Sequence, residues 1–224
     1  MKPPELVSAL RDLIDDNAAP QLWTSAELLR YLNDAERQAC RRAYILEDHN
    51  TASICALSLA ASTMSFALHS LVLKVLRVFI SSANVVLRQT PRDFLDAEYG
   101  QWWSTYGVPG YYVHEANDEL LLNTMLYSAD SASLLVARLP LQDFSTGSTE
   151  TIETKAMYHD DLLLWGAHKA FLKNDSDTLN LQLADYYEKQ FTARFGPLPD
   201  TATELKRKRL PIHRAARSKE FGYS

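Results

Sequence analysis

Leu28, Leu32, Ala35, Ala39, Ala43 and Leu46 recur at steps of three and four, while Arg30, Asp34, Arg37, Arg41 and Glu47 fall mostly on the other faces. That pattern predicts a long one-sided helix running to about Asp48. Its start is doubly marked. Thr24 and Glu27 have the spacing of a capping box, in which hydroxyl and carboxylate each accept from the other residue's backbone N–H, and Trp23 and Leu28 have the spacing of a hydrophobic staple. Before it, Leu6, Leu10, Leu13 and Ile14 mark a short helix over about Pro4 to Asp16, stopped by the polar and proline residues up to Pro20.

From Thr51 the period of three to four gives way to short apolar and β-branched runs. Residues 66–80 and 85–87 read as strands, with Ser81 to Asn84 as a hairpin turn between Leu73–Ile80 and Val85–Gln89. The Ala-rich stretch 51–67 suits either strand or helix. Thr90 as cap and Pro91 at the first helical position predict a short helix to about Tyr99. An aromatic loop over Gly100–Gly110 follows, then strands at Tyr111–His114, Leu120–Met125 and Ser133–Leu139.

Helical spacing returns from Ile152 to Leu172 and again from Asp177 to Phe195, closed by Gly196 and Pro197. Beyond Pro197 no period is seen. Neither helical pair buries its stripe alone, so the expected fold class is α+β: an antiparallel helical bundle from both chain ends, with a β-rich insertion and an extended basic C-terminal tail. The expected divisions are 1–50 and 145–196 for the two halves of the bundle, 51–144 for the insertion and 197–224 for the tail.

Charge sharpens the picture at one end. Of 23 Lys and Arg, seven lie between Lys206 and Lys219 (Lys206, Arg207, Lys208, Arg209, Arg214, Arg217, Lys219), and none of the 28 Asp and Glu does. An acidic body with a basic end repels nucleic acid over most of its surface while that end seeks an anionic partner. The 46% hydrophobic content suits a sizeable core, and no apolar run is long enough for a membrane span or placed as a secretion signal, so a soluble intracellular product is expected. Cys40 and Cys55 lack metal or redox spacing and read as buried free thiols.

Several phrases, in order, resemble the head-to-tail connector or adaptor proteins of tailed bacteriophages. They are Trp23 to Leu29 at the start of the long helix, Arg77-Val78 before the hairpin, Asp93 to Asp96, Trp103 to Val113, Tyr158 to Ala167, and Asp185 to Phe191. The likeness covers about 24–195, and the Ala-rich 51–67 stretch departs from the Gly- and Pro-punctuated strand of that pattern. It implies a structural virion protein, a ring of about twelve copies beneath the portal that connects the DNA-filled capsid to the tail. The implied partners are the portal protein, a tail or nozzle protein and further copies of the chain. DNA passes through the channel without specific binding, and no membrane is involved. The implied location is the head–tail junction of the virion, and the host cytoplasm during assembly.

Two sets of residues are candidates for these contacts. The basic end, Lys206, Arg207, Lys208, Arg209, Arg214, Arg217 and Lys219, with Phe221 and Tyr223 as apolar anchors, suits docking on an acidic portal surface. Trp102, Trp103 and Tyr106 suit a ring or tail interface, since Trp and Tyr concentrate binding energy; the alternative is that these rings cover the sheet. A second functional reading, a nucleic-acid-binding packaging or regulatory factor, would use the basic end to clasp phosphates. A third, a metal-dependent hydrolase, would need His159, Asp160, Asp161 and His168 to converge, but His168 lies more than two helical turns from His159. No phosphate-cradling or nucleophile motif occurs among only seven Gly. No enzyme, metal or cofactor is expected.

Overall fold

The capping box at Thr24 forms as its spacing predicts. In the computed structural model, which describes residues 1–115, 117–145 and 151–210, Thr24 Oγ1 accepts from the Glu27 N–H at 3.2 Å and Glu27 Oε2 accepts from the Thr24 N–H at 2.8 Å. Trp23 is 2% exposed, and its indole N–H donates to the Ala170 carbonyl at 3.2 Å. The helix ends sooner than its stripe suggests. Tyr44 takes a left-handed φ of 53° and its N–H closes on the Cys40 carbonyl at 2.9 Å, so Leu46 leaves the helix.

In chain order the elements are α1 (Pro3–Ile14), α2 (Ser25–Ala43), β1 (Glu47–Asp48), α3 (Ala52–Cys55), β2 (Ala56–Leu59), β3 (Ser65–Ala67), β4 (Val72–Ile80), β5 (Val85–Gln89), α4 (Arg92–Tyr99), β6 (Tyr111–His114), β7 (Glu119–Leu122), β8 (Asp130–Arg138), α5 (His159–Phe171), α6 (Leu181–Phe195) and α7 (Thr201–Arg209). They divide into two compact units. The first takes Met1–Asp48, Leu71–Leu73 and Ala137–Asp200; the second takes His49–Ser70, Lys74–Val136 and the chain from Thr201.

Within the first unit, α5 is the helix the others cover. Leu6, Leu10, Leu28 and Leu32 of α1 and α2 pack with Leu163, Ala167 and Ala170 on one side, and Ala35, Ala39, Phe191 and Phe195 pack with Leu162 and Trp165 on another. Arg42 lies between the rings of Trp165 and Phe191, 4.8 and 5.0 Å from their centroids, and donates to the Gly196 carbonyl at 3.2 Å beyond the end of α6. Arg138 is held by two carboxylates, Asp48 at 2.6 Å and Glu153 at 2.7 Å.

The sheet is mixed, in the order β1-β8-β4-β5-β6-β7-β3, with β2 also on β8. The β4–β5 hairpin has the expected register, Ile80 opposite Val85, with Asn84 at φ 52° in its turn. β5 and β6, by contrast, are parallel, Arg88 opposite Tyr111. A parallel pair needs a crossover, and residues 90–110 with α4 supply it.

The expected bundle with a peripheral β insertion and extended basic tail is therefore corrected. The chain is α+β, the described residues forming seven helices and a mixed sheet of eight strands, and helices fall in both units. The unit that holds α1, α2, α5 and α6 is also built from strand ends: Arg138 N–H donates to the Leu46 carbonyl at 3.0 Å and Leu139 N–H to the Leu71 carbonyl at 2.9 Å. Nor do Lys206–Arg209 extend, since they form the last turn of α7. Boundaries also shift. The Ala-rich stretch splits into one helical turn and β2, Pro91 rather than Thr90 stands before α4, and α6 begins only at Leu181, where the Asn180 side chain caps it.

Glu36 on α2 is 1% exposed, and its Oε1 has no hydrogen-bond partner among the described residues. Burial, then the nearby charge of Glu153, pushes its carboxyl up to about 7 from an ordinary 4.5. Between those values the folded chain holds a proton that the unfolded chain has lost, so this group's contribution to stability falls as pH rises through that window and levels off above it. Glu36→Gln should remove that slope. Urea unfolding at pH 5 and pH 8 should show the variant gaining roughly 1–3 kcal/mol on the natural chain between the two, and an unchanged difference would show that Glu36 ionises normally.

Candidate functional site

The aromatic loop is fixed before it is exposed. Gly107 N–H donates to the Met125 carbonyl at 3.0 Å and Met125 N–H to the Thr105 carbonyl at 2.8 Å, while Asn123 Oδ1 accepts from both Gly110 and Tyr111 N–H at 2.9 Å. Trp102 turns inward. It packs with Leu95 and Val113, is 4% exposed, and its indole N–H donates to Asp96 at 2.7 Å. Its neighbour Trp103 turns outward, 53% exposed. Tyr106 is also exposed and stacks on Tyr127, ring centroids 5.4 Å apart, beside exposed Val108.

Of the three candidate rings, then, Trp103 and Tyr106 are exposed and Trp102 is buried against Leu95 and Val113. Tyr127 is a further exposed ring, stacked on Tyr106, and nothing in its neighbourhood along the chain pointed to it. Only the pairing of Thr105 and Gly107 with Met125 brings it alongside. Gly100–Gly110 carries no charge, so the exposed rings stand on an uncharged loop whose backbone is hydrogen-bonded to residues 123 and 125.

Of the basic end, Lys206, Arg207, Lys208 and Arg209 are described and lie on α7, within the second unit. Lys74 of β4 is 3% exposed, and its ammonium donates to the Arg207 carbonyl and, at 2.7 Å, to the Leu210 carbonyl. Gln89 at the end of β5 donates to the Lys208 carbonyl at 2.5 Å. These two side chains cap the helix end, where carbonyls lack helical partners and the helix dipole attracts cations. Burial, then the charge of Arg207, lowers the Lys74 pKa. Lys208 pairs with Asp118, and Arg209 lies 3.9 Å from Glu115, which also pairs with Arg92 at 2.9 Å. Below them His114 is buried. Its Nδ1 accepts from the Val75 N–H at 3.4 Å, and burial, then the charge of Lys208, pulls it down to about 4, so it is neutral with the proton on Nε2. Arg214, Arg217, Lys219, Phe221 and Tyr223 lie outside the described residues.

The histidines weighed for metal chemistry serve the fold. His159 Nε2 bonds the Thr154 carbonyl at 2.9 Å, and His168 Nδ1 bonds the Ala184 carbonyl at 2.9 Å with its ring 4.7 Å from that of Trp165. Among the described residues no group of His, Cys, Asp or Glu is arranged to hold a metal ion, and no helix is long and apolar enough to cross a membrane. Cys40 and Cys55 are buried and unbridged, and burial raises the Cys40 thiol.

The chain belongs to the SU10 adaptor protein family, a family of phage head–tail adaptors, whose sequence profile matches residues 1–214. No curated protein matches it. The resemblance drawn from the order of caps and aromatics thus holds at the level of the family, and the chain is a bacteriophage structural adaptor.

Lys74→Met should loosen the end of α7 by removing two charge-assisted bonds, each of about 1.5–3 kcal/mol. Trypsin should then cut at Lys206–Arg209 about tenfold faster or more, because cleavage follows local opening. Equal rates for variant and natural chain would show that Lys74 does not hold the helix.

Proposed function

We propose that the protein is the ring-forming adaptor beneath the portal, connecting the DNA-filled capsid to the tail. The single observation that carries this reading is the family match across residues 1–214. The ring holds about twelve copies joined head to tail, each copy offering one patch to a different patch on the next. Its partners are the portal protein on one side and a tail or nozzle protein on the other. Arg214, Arg217, Lys219, Phe221 and Tyr223 dock on an acidic portal surface, with the aromatic face of Trp103, Tyr106, Val108 and Tyr127 as a ring or tail contact. The acidic balance of the chain keeps DNA from sticking as it passes. The nucleic-acid-binding alternative is weakened by the α7 geometry, since Lys208 and Arg209 already face Asp118 and Glu115, and phosphate would have to displace those carboxylates.

The test is head–tail joining in extracts lacking the adaptor. DNA-filled heads should accumulate without tails, and purified protein should restore infectious particles. A triple substitution of Trp103, Tyr106 and Tyr127 by Ala should lower that restoration at least tenfold, since buried interface aromatics cost about 2 kcal/mol or more each, while the thermal melt of the protein stays where it was. Heads that acquire tails without the protein would overturn the assignment.

A further inference from the structure

We propose that the exposed sheet face around Arg77 and Arg88 is where one copy receives the next, its occupant being the neighbouring copy's α6 at Leu181, Asp185 and Glu188. This rests on the ring reading above and names a contact that joins its copies.

The face follows from the hairpin register. Val78 stands opposite Leu87 and Phe79 opposite Val86, so the next step along β4 and β5 sets Arg77 opposite Arg88. Side chains alternate across a sheet, and Val78, Ile80 and Leu87 are buried on its inner side. Arg77, Phe79, Val86 and Arg88 therefore share the outer side, where both arginines are exposed and Val86 is 51% exposed. The Arg88 N–H goes to the Gly110 carbonyl beside β6 at 3.0 Å. Across from β4 it thus belongs to a pair without hydrogen bonds, the kind whose side chains stand closest, with Cβ atoms about 4.5–5.5 Å apart. Like charges so placed repel. Among the described residues neither guanidinium has an ion-pair or hydrogen-bond partner. What complements this face is a surface with two carboxylates set equally close, beside an apolar group.

Helix α6 carries that arrangement. Leu181, Asp185 and Glu188 fall at i, i+4 and i+7, one line along the helix, and all three are exposed, Leu181 at 64%. Helix residues three apart have Cβ atoms about 5–6 Å from each other, which matches the arginine pair. Leu181 precedes Asp185 by about 6 Å along the axis, and the Phe79–Val86 row lies about 7 Å from the arginine row. A helix laid along the hairpin therefore sets the leucine on Phe79 and Val86 while both acids meet both arginines.

Other helices offer less. Glu5 and Asp12 of α1 accept from the Lys2 N–H and the Asn17 amide, and Asp96 of α4 accepts from the Trp102 indole. Asp185 has Lys189, an exposed pair of the kind that contributes little. Glu188 lies near the charge of Arg42, which already bonds Thr192 and the Gly196 carbonyl. Helix and face are different patches of one chain, as a head-to-tail ring requires. Nucleic-acid phosphates would use the two cations and leave the apolar pair in water.

Charge reversal reads the contact. Arg77→Glu with Arg88→Glu, and separately Asp185→Arg with Glu188→Arg, should each lower head–tail joining in adaptor-free extracts roughly tenfold or more, as like charges facing across an interface do. The thermal melt should stay where it was, since every substituted side chain is exposed. All four changes in one chain restore opposite charges at each junction and should return joining to within about threefold of the natural protein.

A second measurement leaves the charges in place. Arg88→Lys keeps the cation and supplies an amine. A carbodiimide activates a carboxyl of α6, the amine attacks it, and an amide forms as the urea leaves. Ordinary and nitrogen-15 protein carrying that change would be mixed equally, assembled on DNA-filled heads, cross-linked and digested. About half of the peptides joining 88 to 185 or 188 should pair one light with one heavy chain, as random neighbours in a ring require. Reversals that join normally, no restoration by the fourfold variant, or joined peptides that are absent or of one isotope only would overturn the contact. With rings still visible by electron microscopy, those results would give the face to the portal, the tail protein or DNA and leave the adaptor assignment standing. Heads that carry no ring would remove the ring reading and this contact with it.

Discussion

Gly166 lets α1 and α2 approach the backbone of α5. A Cβ at that position would stand 2.9 Å from one methyl of Leu10 and 3.5 Å from a methyl of Leu32, closer than side chains in a packed core tolerate in the first case. Because that atom is missing, leucines from two helices meet a third at close range, and each fully buried leucine contributes about 1.5–3 kcal/mol. The Trp23 indole bonds the Ala170 carbonyl one turn further on, so the staple that starts α2 is tied to the same helix. On its other side α5 meets α6 through Trp165, Phe191 and Phe195. The first unit is arranged around a helix that has little surface left for solvent.

Buried charge organises much of what remains. Arg138 lies between Asp48 and Glu153, Arg11 is bonded to Asp16 and the Trp23 carbonyl, and Arg42 is covered by rings and bonds a helix-end carbonyl. Each cation is held where an acceptor lies within reach, as the cost of desolvating it demands. Lys74 follows the same rule with the end of α7 as its acceptor. The most basic described part of the chain is thereby drawn onto the sheet unit.

Much of this was legible along the chain. Thr24 and Glu27, the Asn84 hairpin and most of the helical stretch read over 152–172, of which 159–171 is helix, are set by residues a few positions apart. The basic run was harder to read. Thr201 to Arg209 has good helix formers, an acid in its first turn and cations in its last, the arrangement the helix dipole favours, and that signal could have identified α7. The density of positive charge hid it, because like charges in sequence suggest repulsion until a capping lysine and two carboxylates from elsewhere in the chain are in view.

What the sequence determined by itself were the features whose hydrogen bonds and apolar spacings close locally: the capping box at Thr24, the β4–β5 hairpin, the helical stripes, and the order of phrases that marks the adaptor family. Tertiary structure alone decided that β5 and β6 run parallel, that Trp102 is inside and Trp103 outside, that Tyr127 joins Tyr106, and that α7 lies on Lys74 and Gln89 instead of extending. These depend on contacts such as that between Lys74 and the Arg207 carbonyl, 133 positions apart. No local pattern encodes such contacts, because the free energy that selects them exists only once both groups have left water together.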